Sequence, residues 1–167
     1  MGKDVSGVDL RVLEAFLYEE ADYLDSGNLD AWISLYTEDA TYWMPVSEEQ
    51  QDPLGEISIL YENRTLMQIR ALNFNHRLAP SFETPVKTSH IIGNVRLLEC
   101  DSLADITVRS NFHLVMFFQG VQEIFAGRAT HHLQIQGEAG GSGFLIRHKR
   151  VDLIDSAAPH KSIPIYF

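Results

Sequence analysis

The chain carries a single cysteine, Cys100, in 167 residues. One thiol cannot form an intramolecular disulfide, nor can it supply a zinc or iron–sulfur site built on several thiolates. Basic residues are also scarce: 13 Lys and Arg face 23 Asp and Glu, for a formal net charge of −10. A surface that neutralises phosphates needs the opposite sign, which argues against DNA or RNA as a partner. Long hydrophobic runs are missing too. The longest, Leu114 to Phe118, is five residues, whereas a membrane-spanning helix needs about 20. The first residues contain no apolar signal region. Together these absences predict a cytoplasmic chain with no membrane segment.

What is present is a globular composition, 45% apolar and 10% aromatic. The length predicts a single domain, 1–167, large enough to bury a core without covalent staples. Charge is uneven along it. Residues 1–60 hold 14 acidic and 2 basic side chains, and residues 61–167 hold 9 and 11. Helix formers dominate the first part, and β-branched and aromatic residues the last eighty. This segregation predicts one α+β domain.

A first helix is expected from Val8 to Asp25, with Leu10, Leu13, Leu17, Ala21 and Leu24 on one face at spacings of three and four, widened by Phe16 and Tyr23. Ser26-Gly27 ends it. Asn28 caps a short second helix whose apolar side is Trp32, Ile33, Leu35 and Tyr36. Thr41 to Val46 reads as a strand that ends or lies at an edge at Pro45, and residues 47–56 as an acidic loop. A third helix is expected from Ile59 to Asn73, with Leu66, Ile69 and Leu72 facing inward and Arg64 and Arg70 exposed. From Lys87 onward the pattern is strand after strand. Ile91, Gly93, Val95 and Leu97 alternate with His90, Asn94 and Arg96. Ile106 to Phe118 places every second residue on one face. Gln119-Gly120 is a turn, and residues 138–143 connect the last two long strands as a hairpin. Long strands with short turns make an antiparallel meander. Three N-terminal helices on such a curved sheet give a cone-shaped α+β fold. The tail, Ser162 to Phe167, is apolar to its last residue. It is expected to dock on its own sheet or on a neighbouring chain, with Ile163, Ile165, Tyr166 and Phe167 as candidate assembly residues.

Chemistry is sparse. His131-His132 cannot chelate one ion together, because adjacent strand residues point to opposite faces. No H-E-x-x-H or G-x-S-x-G occurs. The glycines at 140–143 lie between strands, whereas a phosphate cradle needs a helix N-terminus behind it. These patterns predict no metal and no cofactor in this chain. Acid–base work in the mouth of a cone is the remaining option, with Asp25, Asp39, Tyr18, Tyr36, Tyr42, His90 and His113 as possible lining groups.

An ordered set of segments then carries a resemblance: Tyr18 to Asp25, Asp30-Ala31-Trp32, Leu35 to Val46 with its Asp-Ala-Thr-Tyr-Trp-Met-Pro-Val block, Tyr61 to Arg64, Phe125 to Arg128, and Arg150 to Asp155. The chain resembles the small (β) subunit of aromatic-ring-hydroxylating dioxygenases over nearly its whole length. Tyr61-Glu62-Asn63-Arg64 departs from the family pattern in lacking an aspartate. The resemblance implies the cystatin-like cone shared with ketosteroid isomerases, scytalone dehydratase and nuclear transport factor. It implies a non-catalytic structural subunit, without cofactor, that self-associates as a trimer beneath three large (α) oxygenase subunits. Those hold the Rieske iron–sulfur cluster and the mononuclear iron. The alternative is a stand-alone dehydratase, isomerase or cyclase moving protons on a small apolar substrate, with Asp25, Tyr42, His90 and His113 as its catalytic candidates. A binding module of the same fold is the third reading.

Overall fold

A computed structural model describes residues 8–77, 85–102, 105–136, 143–158 and 164–167. Asp9 opens α1 (Leu10–Asp25) by accepting the Arg11 N–H, and Asn28 opens α2 (Leu29–Ser34) by accepting the Ala31 N–H. Each side-chain acceptor satisfies a donor that the first helical turn leaves free. The order continues with β1 (Tyr36–Pro45), β2 (Ser58–Asn63), α3 (Arg64–Arg77), β3 (Lys87–Ser102), β4 (Asp105–Phe118), β5 (Val121–Ile135) and β6 (Phe144–Leu153). Six strands form one sheet in the order β2-β1-β6-β5-β4-β3. The β3-β4-β5-β6 meander and the β1-β2 pair are antiparallel, as expected, but β1 joins β6 in parallel, so the sheet is mixed.

The three helices cover one face of this sheet, and the core lies between. Leu13, Phe16, Leu17, Trp32 and Ile33 come from the helices. Tyr42, Met44, Ile106, Val108, Leu114, Leu133, Ile146 and Val151 come from the strands. The inward set on β4 is the expected one.

Several expectations are corrected. Residues 58–63 are a strand, not the start of the third helix, because they pair with β1 from Thr41 to Pro45. The helix that follows turns its other side inward. Met67 and Ala71 are buried, whereas Leu66, Ile69 and Leu72 are exposed, and Arg64 and Arg70 are half-buried in ion pairs. Leu10 is exposed at the start of α1. On β3 the alternation breaks at a bulge between Gly93 and Arg96, where Asn94 takes a φ of 51°. An extra residue inverts the pleat, so Ile92 points inward before it and Val95 and Leu97 after it, while Ile91 faces solvent. The expected hairpin at 138–143 lies outside the described residues except for Gly143.

The tail packs on its own chain. Ile165, Tyr166 and Phe167 are buried. The Tyr166 ring lies 4.4 Å from Trp32 and 5.2 Å from Tyr42, and Phe167 meets Phe112 and Phe125 at 5.6 and 5.2 Å. Of the two places expected for the tail, its own sheet and a neighbouring chain, these three side chains take the first. Ile163 lies outside the described residues.

Candidate functional site

The chemistry-bearing groups of the interior gather around one carboxylate. Glu20 sits on the core face of α1, one turn after Phe16 and Leu17, and is buried. Its Oε1 accepts from Trp32 Nε1 (3.1 Å), Tyr36 OH (3.3 Å) and Lys149 Nζ (2.6 Å), and its Oε2 lies 2.8 Å from His131 Nε2. Burial alone would raise the Glu20 carboxyl, but the Lys149 ammonium and His131 overcome it and hold the group well below the usual carboxylate range. Burial pushes His131 down despite Glu20. The cluster is thus a Glu20–Lys149 ion pair with a neutral His131 that donates from Nε2. His131 Nδ1 is then left without a partner. Four groups of this chain converge on Glu20, so the carboxylate ties α1, α2, β1, β5 and β6 together.

A second buried network joins the tail to α3. Glu62 Oε1 accepts from Arg70 Nε at 2.7 Å, and Glu62 Oε2 accepts the Tyr166 hydroxyl. Tyr42 OH accepts the Phe167 N–H at 3.1 Å. Burial lifts the hydroxyls of Tyr36, Tyr42 and Tyr166 far above their ordinary value, so all three stay protonated.

Of the four residues named as catalytic candidates, the structure brings two together. Asp25, at the end of α1, accepts from Thr88 Oγ1 (2.8 Å) and from the His90 backbone N–H (2.8 Å), and its Oδ1 lies 2.6 Å from His90 Nδ1. Burial would raise the Asp25 carboxyl, but its bonds to His90 and Thr88 lower it. His90 Nε2 is buried without a partner. A cavity of about 210 Å³ lies beside this pair, lined by Asp25, Thr88, Arg70, Phe74, Ile165 and Tyr166 among others. Tyr42 belongs to the tail network, and His113 lies on the opposite, outer face of the sheet beside Ile91. Asp39 and Tyr18 are exposed, and Tyr36 belongs to the Glu20 cluster.

His131 and His132 do point to opposite faces. His132 pairs across the strands with His148 on the outer face, their ring centroids 5.6 Å apart. Burial, with His132 and Arg150 nearby, pushes His148 down to about 4. Sequence reasoning missed Glu20 and Lys149. The signal for Glu20 was its spacing: it continues the row Leu13, Phe16, Leu17.

Among the described residues, no group of three or more His, Cys, Asp or Glu is placed to hold a metal ion. A Rieske centre needs two Cys and two His, and one cysteine does not fit it. No described helix is long and apolar enough to cross a membrane.

The sequence model of the family described as ring hydroxylating beta subunit matches residues 19–159. The chain is 30% identical over 136 residues to the toluate 1,2-dioxygenase subunit beta of Pseudomonas putida, covering 78% of this chain and 83% of that one. It is 26% identical over 136 residues to the benzoate 1,2-dioxygenase subunit beta of Acinetobacter baylyi, covering 78% and 80%. The crystal structure of the beta subunit of benzoate 1,2-dioxygenase from Burkholderia mallei superposes with a TM-score of 0.75 at 27% identity, over 93% of this chain and 97% of that one. A scytalone dehydratase-like structure from Novosphingobium aromaticivorans, at 14% identity and a TM-score of 0.64, shares the cone fold alone.

Proposed function

The chain belongs to the ring-hydroxylating beta-subunit family, and from that premise we propose that it is the non-catalytic small subunit of a multicomponent aromatic-ring-hydroxylating dioxygenase. The observation that carries this reading is the interior of the cone. Its central carboxylate, Glu20, is engaged by Trp32, Tyr36, His131 and Lys149, and the aromatic side chains of Trp32, Tyr36, Tyr42, Tyr166 and Phe167 pack around it, apart from the cavity beside Asp25. A centre tied up by its own side chains suits a support rather than a reaction vessel. The Rieske cluster and the mononuclear iron belong to the large subunit. Three copies of this chain sit with three large subunits in the cytoplasm, and the assembly works in aromatic compound catabolism. The relatives are named for toluate and benzoate, so a monocyclic aromatic acid is the favoured substrate class for the assembled enzyme.

The test is a pull-down of the tagged chain from its own cells, with native mass, iron and acid-labile sulfide measured on the product. A larger iron–sulfur chain in equal stoichiometry is expected. A metal-free homo-oligomer without a companion, or one iron held by each copy of this chain alone, overturns the reading.

The stand-alone proton-transfer reading has one observation in its favour, the Asp25–His90 contact beside a cavity. It requires a turnover by the isolated chain that His90→Ala abolishes without unfolding it.

A further inference from the structure

His132 and His148 are the middle of a row that crosses four strands on the outer face of the sheet. Thr107 stands on β4, His132 on β5, His148 on β6 and Thr41 on β1, each paired with the next. A bulge creates the row. His132 pairs with His148 but Leu133 pairs with Ile146, which leaves Arg147 as an extra residue on β6. On a regular strand His148 would share the face of Ile146, which is buried in the core. The extra residue turns it outward, beside His132.

Each end of the row holds one ring by the same atom. Thr41 Oγ1 lies 2.6 Å from His148 Nδ1, and Thr107 Oγ1 lies 3.3 Å from His132 Nδ1. Nδ1 and Nε2 occupy opposite edges of an imidazole. With both Nδ1 edges turned to the outer threonines, both Nε2 edges turn to the middle of the row, towards each other. Neither Nε2 has a partner among the described residues, and both rings are half-buried, open to solvent on one side. A hydroxyl that accepts from Nδ1–H fixes the tautomer whose lone pair is on Nε2, the way metal-bound histidines are oriented. The Trp43 ring, 6.4 Å away, backs His148. The charge of nearby Arg150 is balanced by Asp152, whose two oxygens it meets at 2.9 and 2.8 Å.

The spacing selects the ion. A zinc–imidazole bond of about 2.0–2.1 Å, plus roughly 1.1 Å from nitrogen to ring centre, puts each centroid about 3.2 Å from a shared metal. Centroids 5.6 Å apart then subtend an angle of about 120° at the ion. That is close to tetrahedral, and far from the right angle or straight line of a square-planar copper site. We propose that His132 and His148 form a zinc site on the outer face of the sheet, bound through their two Nε2 atoms, with the remaining positions open to water. Two protein ligands are fewer than the three or four of a resident zinc, so the ion is exchangeable. His131 and His132, neighbours in sequence, cannot make such a site because they face opposite sides of the sheet; the Arg147 bulge supplies the second ligand.

The experiment titrates the full chain, free of any tag and stripped with a chelator, with zinc chloride in a calorimeter. One ion per chain is expected, with a melting temperature that rises with zinc. His132→Gln and His148→Gln should each abolish binding over the range in which the wild type saturates. Thr107→Val keeps both ligands and frees one ring, and should weaken binding by roughly tenfold. His113→Gln, elsewhere on the same outer face, should bind as the wild type does. A measurement on the wild type alone covers the case in which a variant folds poorly: in long-range proton–nitrogen spectra, zinc should move the Nε2 resonances of His132 and His148. No binding by the wild type at millimolar zinc overturns the site. So does binding by both histidine variants within twofold of the wild type, or movement confined to the resonances of other histidines.

Discussion

Glu20→Gln tests the interior most directly. Gln keeps an acceptor for Trp32 and Tyr36 but removes the charge that compensates Lys149, whose side chain is 3% exposed. Removing one partner of a buried ion pair costs about 3–5 kcal/mol, a large share of the roughly 5–15 kcal/mol that holds a domain folded. The loss also has a pH signature. In the wild type Glu20 opposes the downward push of burial and keeps the proton on Lys149. In the variant burial acts unopposed, so folded Lys149 sheds its proton while the unfolded lysine keeps one up to its ordinary value of 10.5. The unfolded state then binds more protons than the folded state, and stability falls as pH falls. Wherever the folded lysine is neutral and the unfolded one charged, each pH unit is worth about 1.4 kcal/mol, so the variant should lose stability relative to the wild type as pH falls from 9 to 7. Urea unfolding followed by tryptophan fluorescence, at fixed protein concentration, reads both quantities. Adding Lys149→Met to Glu20→Gln should recover most of the loss and abolish the slope. A cost below about 1 kcal/mol, or wild-type and variant curves that run parallel from pH 7 to 9, would refute a desolvated Lys149.

Phe167→Ala should cost about 3–5 kcal/mol and lower the melting temperature by about 6–20 °C; an unchanged melting temperature with altered native mass would return the tail to an assembly role. Gly127→Ala places a Cβ 2.3 Å from the Asp152 carbonyl and 3.0 Å from Phe112 Cζ, so it must push β5 from β6 and should cost roughly 3 kcal/mol or more; near wild-type unfolding in urea would contradict that approach. His148 titrates at about 4 in the folded chain against 6.5 when unfolded. The unfolded state takes the proton first, so stability should decline as pH falls from 6.5 towards 4, by about 2 kcal/mol once its partly open position is discounted. His148→Gln should flatten that part of the curve, and an unaltered slope would assign the decline to other groups.

The strands from Lys87 onward were legible because alternation and turn residues act within a few positions of each other. The third helix was not. Ile59, Leu60 and Tyr61 form an apolar run that periodicity cannot divide between strand and helix, and pairing with β1 decides it. With that strand removed, the inward face of α3 is Met67 and Ala71, and Arg70 turns to Glu62, a partner that spacing along the helix does not single out. The Asn94 bulge hid in the same way: one extra residue inverts the positions that follow, until the register shifts again between Leu97 and Glu99. Of the candidate site, the Asp25–His90 contact was legible as a pair of plausible lining groups. Glu20 was one acid among 14 in its stretch, and its partners lie 12 to 129 residues away. Its burial is decided by Lys149 and His131, which no local window contains.

The parallel seam between β1 and β6 has a consequence for how the chain is made. Thr41 and His148, neighbours across that seam, are 107 residues apart in sequence. The β1-β2 ribbon emerges from the ribosome early. Its open edge, with Tyr42 and Met44 on the side that will be buried, finds its permanent neighbour only when β6 has been synthesised. At about 5–20 residues per second that interval is on the order of 5–20 s. Closing so long a loop is what slows sheets of this connectivity, so the helical half cannot complete its core alone and the fold should close late, in one cooperative step. During the wait an exposed strand edge is open to pairing with other nascent chains. Production of this subunit should therefore be sensitive to chaperone supply and to growth temperature before its finished stability matters at all.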